Sequence, residues 1–296
     1  MPNLAFSPYL LAIASNLFFG TATLTFSRFS RSHSATWVNQ LKVTIGLIGF
    51  LIAFGLFEHY AVLSWTGSLA IVGSGVLGLF LGDFFLFKAF ASLGPSRTLV
   101  LYSFQPFLLG VYGSLFLAQP LSPIQLLAIL CMVLCVMTFV WERSRLTGSF
   151  DLKNFSFAFI GILFDAVGVM LSRTAYESNP ALGPFQANSM RAIGAFLGFL
   201  VLSPLFLSTL TQDLKAMRVR DRTQVLAACF FGTFLSLALY LTALKSAHVA
   251  TLSAISITSP VWASLIEHLQ MKAWPSRYLW AAFALFLLGF YLMQTA

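Results

Sequence analysis

Apolar residues run along the chain in blocks of about twenty, separated by short polar stretches. The pattern has neither the alternation of a half-buried strand nor the narrow stripe of a surface helix. A helix needs about 20 mostly apolar residues to cross a bilayer, and in lipid only helices and closed barrels satisfy their own backbone. These blocks are too long and too continuous for barrel strands. Ten spans are predicted: Ser7 to Phe26, Ala35 to Phe57, Gly67 to Phe90, Ser96 to Ala118, Ser122 to Trp141, Asn154 to Ala175, Gly183 to Leu207, Val225 to Lys245, Val249 to Gln270 and Pro275 to Gln294. Only two connections are long, ERSRLTGSFDLKN and STLTQDLKAMRVRDRTQ, which leaves no room for a soluble domain. The expected fold is an all-α polytopic membrane protein.

Composition agrees with this pattern. Of the 296 residues 58% are hydrophobic and 9% charged, and the mean hydropathy is +0.87, outside the range of a soluble domain. A net charge of +8 would suggest nucleic acid as partner of a soluble chain. Here the basic residues sit between apolar blocks, so the partner is the lipid bilayer and no nucleic acid is expected. Thirteen of the 17 lysines and arginines fall in alternate connections, from Arg28 and Arg31 through Arg143, Arg145 and Arg218 to Lys272 and Arg277. That asymmetry places these connections in the cytoplasm and both termini outside, as in a bacterial inner-membrane protein. MPNLAFSPYLLAIASNLFFG lacks a basic n-region and reads as a retained first helix. Cys131, Cys135 and Cys229 lie inside apolar blocks without disulfide or metal spacing and read as small buried hydrophobes.

Because five is odd, two copies of a five-helix unit would cross the membrane in opposite senses, and the halves do correspond. FSR at Phe26 to Arg28 faces LSR at Leu171 to Arg173, and NQLK at Asn39 to Lys42 faces NSMR at Asn188 to Arg191. GLFLGDFFLFKAFAS from Gly78 faces GTFLSLALYLTALKS from Gly232, and the same offset carries Pro106 onto Pro260. The shared order predicts two inverted five-helix repeats, residues 1–148 and 149–296. Pro106 and Pro260, each inside a span, remove a backbone hydrogen bond and are candidate hinges beside a cavity; simple packing kinks are the alternative.

Charges within a span cost about 2.5–3.5 kcal/mol each on insertion scales and need a partner. Lys42 and Asp83 lie at matched depths, roughly 10 Å from the cytoplasmic side. They are expected to pair directly or through substrate or water; the alternative for Lys42 is snorkelling. Arg191 and Asp165 form a second candidate pair, with separate hydrogen bonding of each as the alternative. Asn16, Asn39, Gln105 and Asn188 are candidate polar ligands, since a buried amide in lipid wants a partner. Phe19, Tyr102 and Trp262 are candidate cavity aromatics, with packing as the default role. Glu267 and His268, beside Lys272, read as interfacial.

The pattern from Gly82 and Asp83 through Phe87, Ala89, Leu93, Gly94, Ser96 and Arg97 to Pro106 and FLLGVYGSLFLAQPLSPIQLLAIL resembles the EamA-type branch of the drug/metabolite transporter superfamily. Gln119 and Pro120, and in the second half Ala273 and Trp274, stand where that family usually carries glutamate and arginine. The resemblance implies a central cavity lined by spans one to four and six to nine, peripheral spans five and ten, and alternating access. The function expected is secondary transport, export of a small metabolite such as an amino acid, with protons as a possible coupling ion. The alternatives are a phosphorylated-sugar or nucleotide-sugar exchanger, which would want several cations in the cavity, and a non-transporting scaffold or sensor. No GxxxxGK[ST], HExxH or GxSxG occurs, so neither ATP hydrolysis, an enzyme activity, a cofactor nor a metal is expected.

Overall fold

The computed structural model describes residues 8–116, 122–138 apart from positions 125, 129, 132, 133 and 136, 152–246, 252, 274 and 276–294. Among these, every regular element is helical. The first half contains α1 (Pro8–Ser32), α2 (Ala35–Phe57), α3 (Trp65–Ser74), α4 (Asp83–Leu93), α5 (Pro95–Leu101) and α6 (Gln105–Phe116). The second contains α7 (Leu152–Ser178), α8 (Pro184–Leu202), α9 (Phe206–Ala216), α10 (Val219–Cys229), α11 (Ser236–Ser246) and α12 (Arg277–Gln294). Six helices among the described residues are long and apolar enough to cross a membrane: Leu10–Ser32, Ala35–Phe57, Trp65–Leu93, Leu152–Ser178, Pro184–Leu202 and Val219–Ser246. Of the expected ninth span only Leu252 is described, and the fifth is described only in part.

Two spans contain a feature that apolar periodicity does not carry. A π-helical stretch, Gly75–Gly82, joins α3 to α4, and a second, Phe230–Leu235, joins α10 to α11. The Asp83 N–H reaches the Gly78 carbonyl, five residues back, and the Ser236 N–H reaches Phe231 in the same way. The offset that aligns Gly78 with Gly232 superimposes the two stretches. Such bulges widen a helix by one residue per turn and re-aim the residues beyond them, and they are frequent at functional sites.

The span ends differ from expectation where polar residues extend the helices. Ser64 caps the N-terminus of α3 by accepting from the Gly67 N–H at 3.1 Å, so this span starts at Trp65. It ends at Gly94, whose φ of 86° lies in the left-handed region that favours glycine. The long connection after the seventh span contains α9. Phe206 and Leu210, one turn apart, are buried while most of the remaining side chains are exposed, the signature of an amphipathic helix lying on the protein.

Packing crosses between the halves. α1 lies along α11 and the stretch Phe230–Leu235; α7 lies along α3, α4 and the stretch Gly75–Gly82; α2 lies along α8. Because α1 corresponds to α7 and the third span to the eighth, the first two contacts are one contact made twice, and α2 against α8 joins the corresponding second and seventh spans. Lipid supplies no hydrophobic drive for helix association, so close approach through small residues must do this work. A Cβ on Gly75 would lie 1.8 Å from the Arg191 carbonyl oxygen, and one on Gly232 would lie 2.2 Å from the Cβ of Ala22. Buried side chains form one cluster toward the basic side, including Phe26, Phe87, Phe90 and Phe199. A second lies toward the opposite side, including Ile71, Leu109, Leu182 and Leu241.

Gly75→Ala must push the third span away from α8, because the obstructing atom is backbone. We expect it to lower stability by about 1–3 kcal/mol. Gly55→Ala, whose added Cβ meets nothing within 4 Å, should leave stability unchanged or slightly raised. Thermal unfolding of the two purified variants in one detergent compares them.

Candidate functional site

Between the two clusters lies a cavity of about 120 Å³ lined by both halves of the chain. α1 contributes Ser15, Asn16 and Phe19, and α2 contributes Lys42. Leu79 and Asp83 come from the bulged third span, Tyr102 and Gln105 from the broken fourth, Asp165 from α7, Arg191 from α8, and Ser236 and Tyr240 from α11. Eight sequence candidates therefore converge: Asn16, Phe19, Lys42, Asp83, Tyr102, Gln105, Asp165 and Arg191.

Lys42 and Asp83 form an ion pair, with side chains 4% and 10% exposed. Lys42 Nζ also lies 5.3 Å from the centre of the Phe87 ring, a favourable site for a cation. Lys42 does not snorkel. The π-helical stretch places Asp83 there, since Asp83 is the first residue after it.

Asp165 and Arg191 are brought to the same cavity without forming an ion pair. Gln105 donates through Nε2 to Asp165 Oδ2 at 2.7 Å, tying the broken span to α7. Arg191 is 2% exposed, and its Nε and Nη1 have no hydrogen-bond partner among the described residues. Of the two expectations for this pair, hydrogen bonding apart from Arg191 describes Asp165.

Asn39 and Asn188 stand outside the cavity lining. Asn39 Nδ2 donates to the Phe80 carbonyl at 3.0 Å, inside the first π-helical stretch. Asn188 Nδ2 donates to the Leu237 carbonyl at 3.1 Å, just beyond the second. These repeat-related amides satisfy carbonyls at the two bulges, a structural duty performed twice. Asn16 Nδ2 donates to the Ala12 carbonyl at 2.8 Å within its own helix. Pro106 lies in the first turn of α6, after a 3₁₀ turn at Tyr102–Phe104, so the span is already broken on its N-terminal side. Pro260 and Trp262, like Glu267 and His268, lie outside the described residues.

The model of the EamA-like transporter family matches the sequence twice, over residues 6–141 and 153–295. The chain belongs to the EamA-like transporter family. It is thereby a member of the drug/metabolite transporter superfamily and an integral membrane protein built on a two-repeat plan. No curated protein matches this EamA-like chain significantly in sequence. A solved crystal structure, described only as that of a protein, shares its fold with a TM-score of 0.68 at 18% identity, over 96% of this chain and 95% of the other.

Sequence reasoning passed over Glu58, the residue after α2. Its Oε1 accepts from the Phe185 N–H at 3.0 Å and its Oε2 from the Gln186 N–H at 2.8 Å, a carboxylate on the positive end of α8. The Gln186 side chain binds both the N–H and the carbonyl of Ala61, and Asn179 Oδ1 accepts from the Ser64 N–H. The sequence signals were a lone acidic residue just after the second apolar block and a distant Gly183–Pro184 helix start, with nothing in the sequence to join them. At the basic side Arg28 pairs with Asp221 and donates to Gln224 Oε1 at 3.0 Å. Each end of the bundle thus carries polar fasteners joining the two halves.

Removing one member of a buried ion pair strands the other, at a cost of about 3–5 kcal/mol, whereas replacing both with apolar residues is often neutral. Lys42→Met and Asp83→Leu should each lower stability by that amount, and the double variant should recover most of it. Thermal unfolding of the three proteins decides: a double variant no more stable than the worse single would show that the pair is not what holds these groups.

Proposed function

We propose that this EamA-like protein is a secondary transporter that exports a small metabolite, such as an amino acid, by alternating access through the central cavity. One observation carries the reading: a buried ion pair, Lys42–Asp83, beside a cavity to which both halves contribute facing helices. A buried charge pair is weak support for stability and costly in lipid, so its presence beside a solute-sized space favours a working role.

Alternating access needs a site between two closable ends. The two buried clusters on either side of the cavity, and the fasteners at Glu58 and at Arg28, provide separable closures. The reading has ten spans in two inverted repeats, 1–148 and 149–296, in a bacterial inner membrane with both termini outside. The basic side then faces the cytoplasm. Pro106 acts as a hinge because α5 and α6 meet at a break that Gln105 ties to Asp165. A proton arriving on Asp83 dissolves the pair and frees Lys42, which couples occupancy of the cavity to protonation. Exchange of phosphorylated sugars is less well supported, because Lys42 is already neutralised by Asp83, which leaves Arg191 as the one uncommitted cation among the described residues lining the cavity.

Asp83→Asn keeps the shape and an acceptor for Lys42 but cannot lose a proton. In proteoliposomes this variant should fold and show abolished flux, or flux that no longer responds to a pH gradient. Wild-type flux at every pH would remove Asp83 from the mechanism.

A further inference from the structure

A second space lies on the outside of the bundle, where α1 meets α10. It is a groove of about 360 Å³ that opens sideways between two membrane spans, with Thr21, Thr25 and Arg28 on one wall and Gln224, Ala227 and Phe231 on the other. Seven residues separate Thr21 from Arg28, and seven separate Gln224 from Phe231. The groove is therefore about 10 Å long, most of the ~15 Å of hydrocarbon in one leaflet. Its deep end is closed, because the rings of Phe18 and Phe231 stack across the two helices with centres 5.8 Å apart. Behind them Gly232, which lines the central cavity, packs on Ala22, which lines the groove, so a close helix contact separates the two spaces. Polarity is graded along the groove. Ala22, Ala228 and Phe231 line the deep part, where the Thr21 hydroxyl is spent on the Leu17 and Phe18 carbonyls of its own helix. Arg28 and Gln224 line the part at the basic side.

We infer that this groove is a site for a phospholipid with an anionic headgroup, an acyl chain lying between α1 and α10 and the phosphate held at the arginines above it. The inference rests on the membrane spans and the groove, and is independent of the transport reading. Charge complementarity carries it. Arg28 donates to Gln224 and pairs with Asp221, yet its side chain is 53% exposed, and a guanidinium has five N–H donors, enough to serve a phosphate oxygen as well. Arg220, exposed, stands one turn before Gln224 on the same stripe of α10. Arg31, also exposed, stands one turn beyond Arg28 on α1. With Arg218 and Arg222, five arginines surround one acid, Asp221, at the mouth of the groove. Basic pockets between membrane helices recognise anionic lipid headgroups in this way. A soluble anion would use the arginines and leave the apolar part of the groove unfilled. A second copy docked symmetrically on this face would bring arginines against arginines.

Native mass spectrometry of the purified full chain, titrated with dioleoyl phosphatidylglycerol or dioleoyl phosphatidylcholine, reads the site directly. The first phosphatidylglycerol should bind at least about 10-fold more tightly than the first phosphatidylcholine, since each arginine beside an anionic headgroup is worth about 5-fold. Arg28→Gln combined with Arg220→Gln should remove most of that preference. Arg277→Gln, an exposed arginine at the start of α12 and outside the groove, should leave it unchanged. Ala227→Trp fills the groove and keeps every arginine, and should abolish the tight binding. Equal wild-type affinity for the two lipids overturns the assignment, and so does displacement of the lipid by inorganic phosphate, which would make this a soluble-anion site. Neither result depends on a variant that folds. Full phosphatidylglycerol preference in the folded Ala227→Trp protein would reduce the site to a charged rim without a groove and overturns it as well. A dimer that forms as lipid is stripped away, and that Ala227→Trp prevents, would give the groove to a second copy instead.

Discussion

A charged side chain in the middle of a bilayer must be neutralised by the protein that carries it. Lys42 and Asp83 are too deep to be solvated by the interface and too costly to be left alone, so α2 and the third span must approach at that level. The pair fixes the register of these two helices more sharply than their apolar surfaces can, since one apolar contact with lipid-like neighbours is much like another. The bulge at Gly75–Gly82 brings Asp83 to Lys42. Its repeat copy has the same bulge but a leucine, Leu237, at the corresponding place. The backbone device is duplicated and the charge is not.

That asymmetry separates framework from chemistry. Asn39 and Asn188 do the same work in both halves, each donating to a carbonyl at or beside a bulge. Serine and glycine contacts tie the halves across α1 and α11, where Ser15 bonds the Ser236 carbonyl at 2.8 Å. Against this symmetric framework, the charges differ between halves: a closed pair in one, Lys42–Asp83, and in the other two groups that face a shared space without closing on each other. In that second half Asp165 is held by Gln105, and Arg191 keeps two buried nitrogens without a partner among the described residues.

The ends of the bundle are fastened by different means. Glu58 receives two backbone N–H groups at the start of α8, and Gln186 grips both backbone groups of Ala61. Arg28 and Asp221 meet in a far more exposed setting, with side chains 53% and 35% exposed, where an ion pair is worth about 0–1 kcal/mol. The two closures are therefore unequal in kind: one built on backbone hydrogen bonds to a charged group, the other on a screened surface pair.

By itself the sequence determined the class of structure, because twenty-residue apolar blocks have one solution in lipid, and it determined the repeat, because matched residues recur in the same order. It also marked Lys42, Asp83, Asp165 and Arg191, since intramembrane charges stand out against phenylalanine and leucine. It left the broken fourth span half legible, through Pro106 but not through the 3₁₀ turn before it. The bulges at Gly75–Gly82 and Phe230–Leu235 were illegible, because a change from i−4 to i−5 hydrogen bonding leaves the apolar pattern intact. So were Glu58, whose partners are backbone N–H groups 127 and 128 residues away, and the different fates of the four charges. Whether a charge finds its partner depends on distances between helices, set by glycine contacts and bulges across the two halves. Only the tertiary structure decided that Lys42 would be paired with a carboxylate and that Arg191, equally buried, would not.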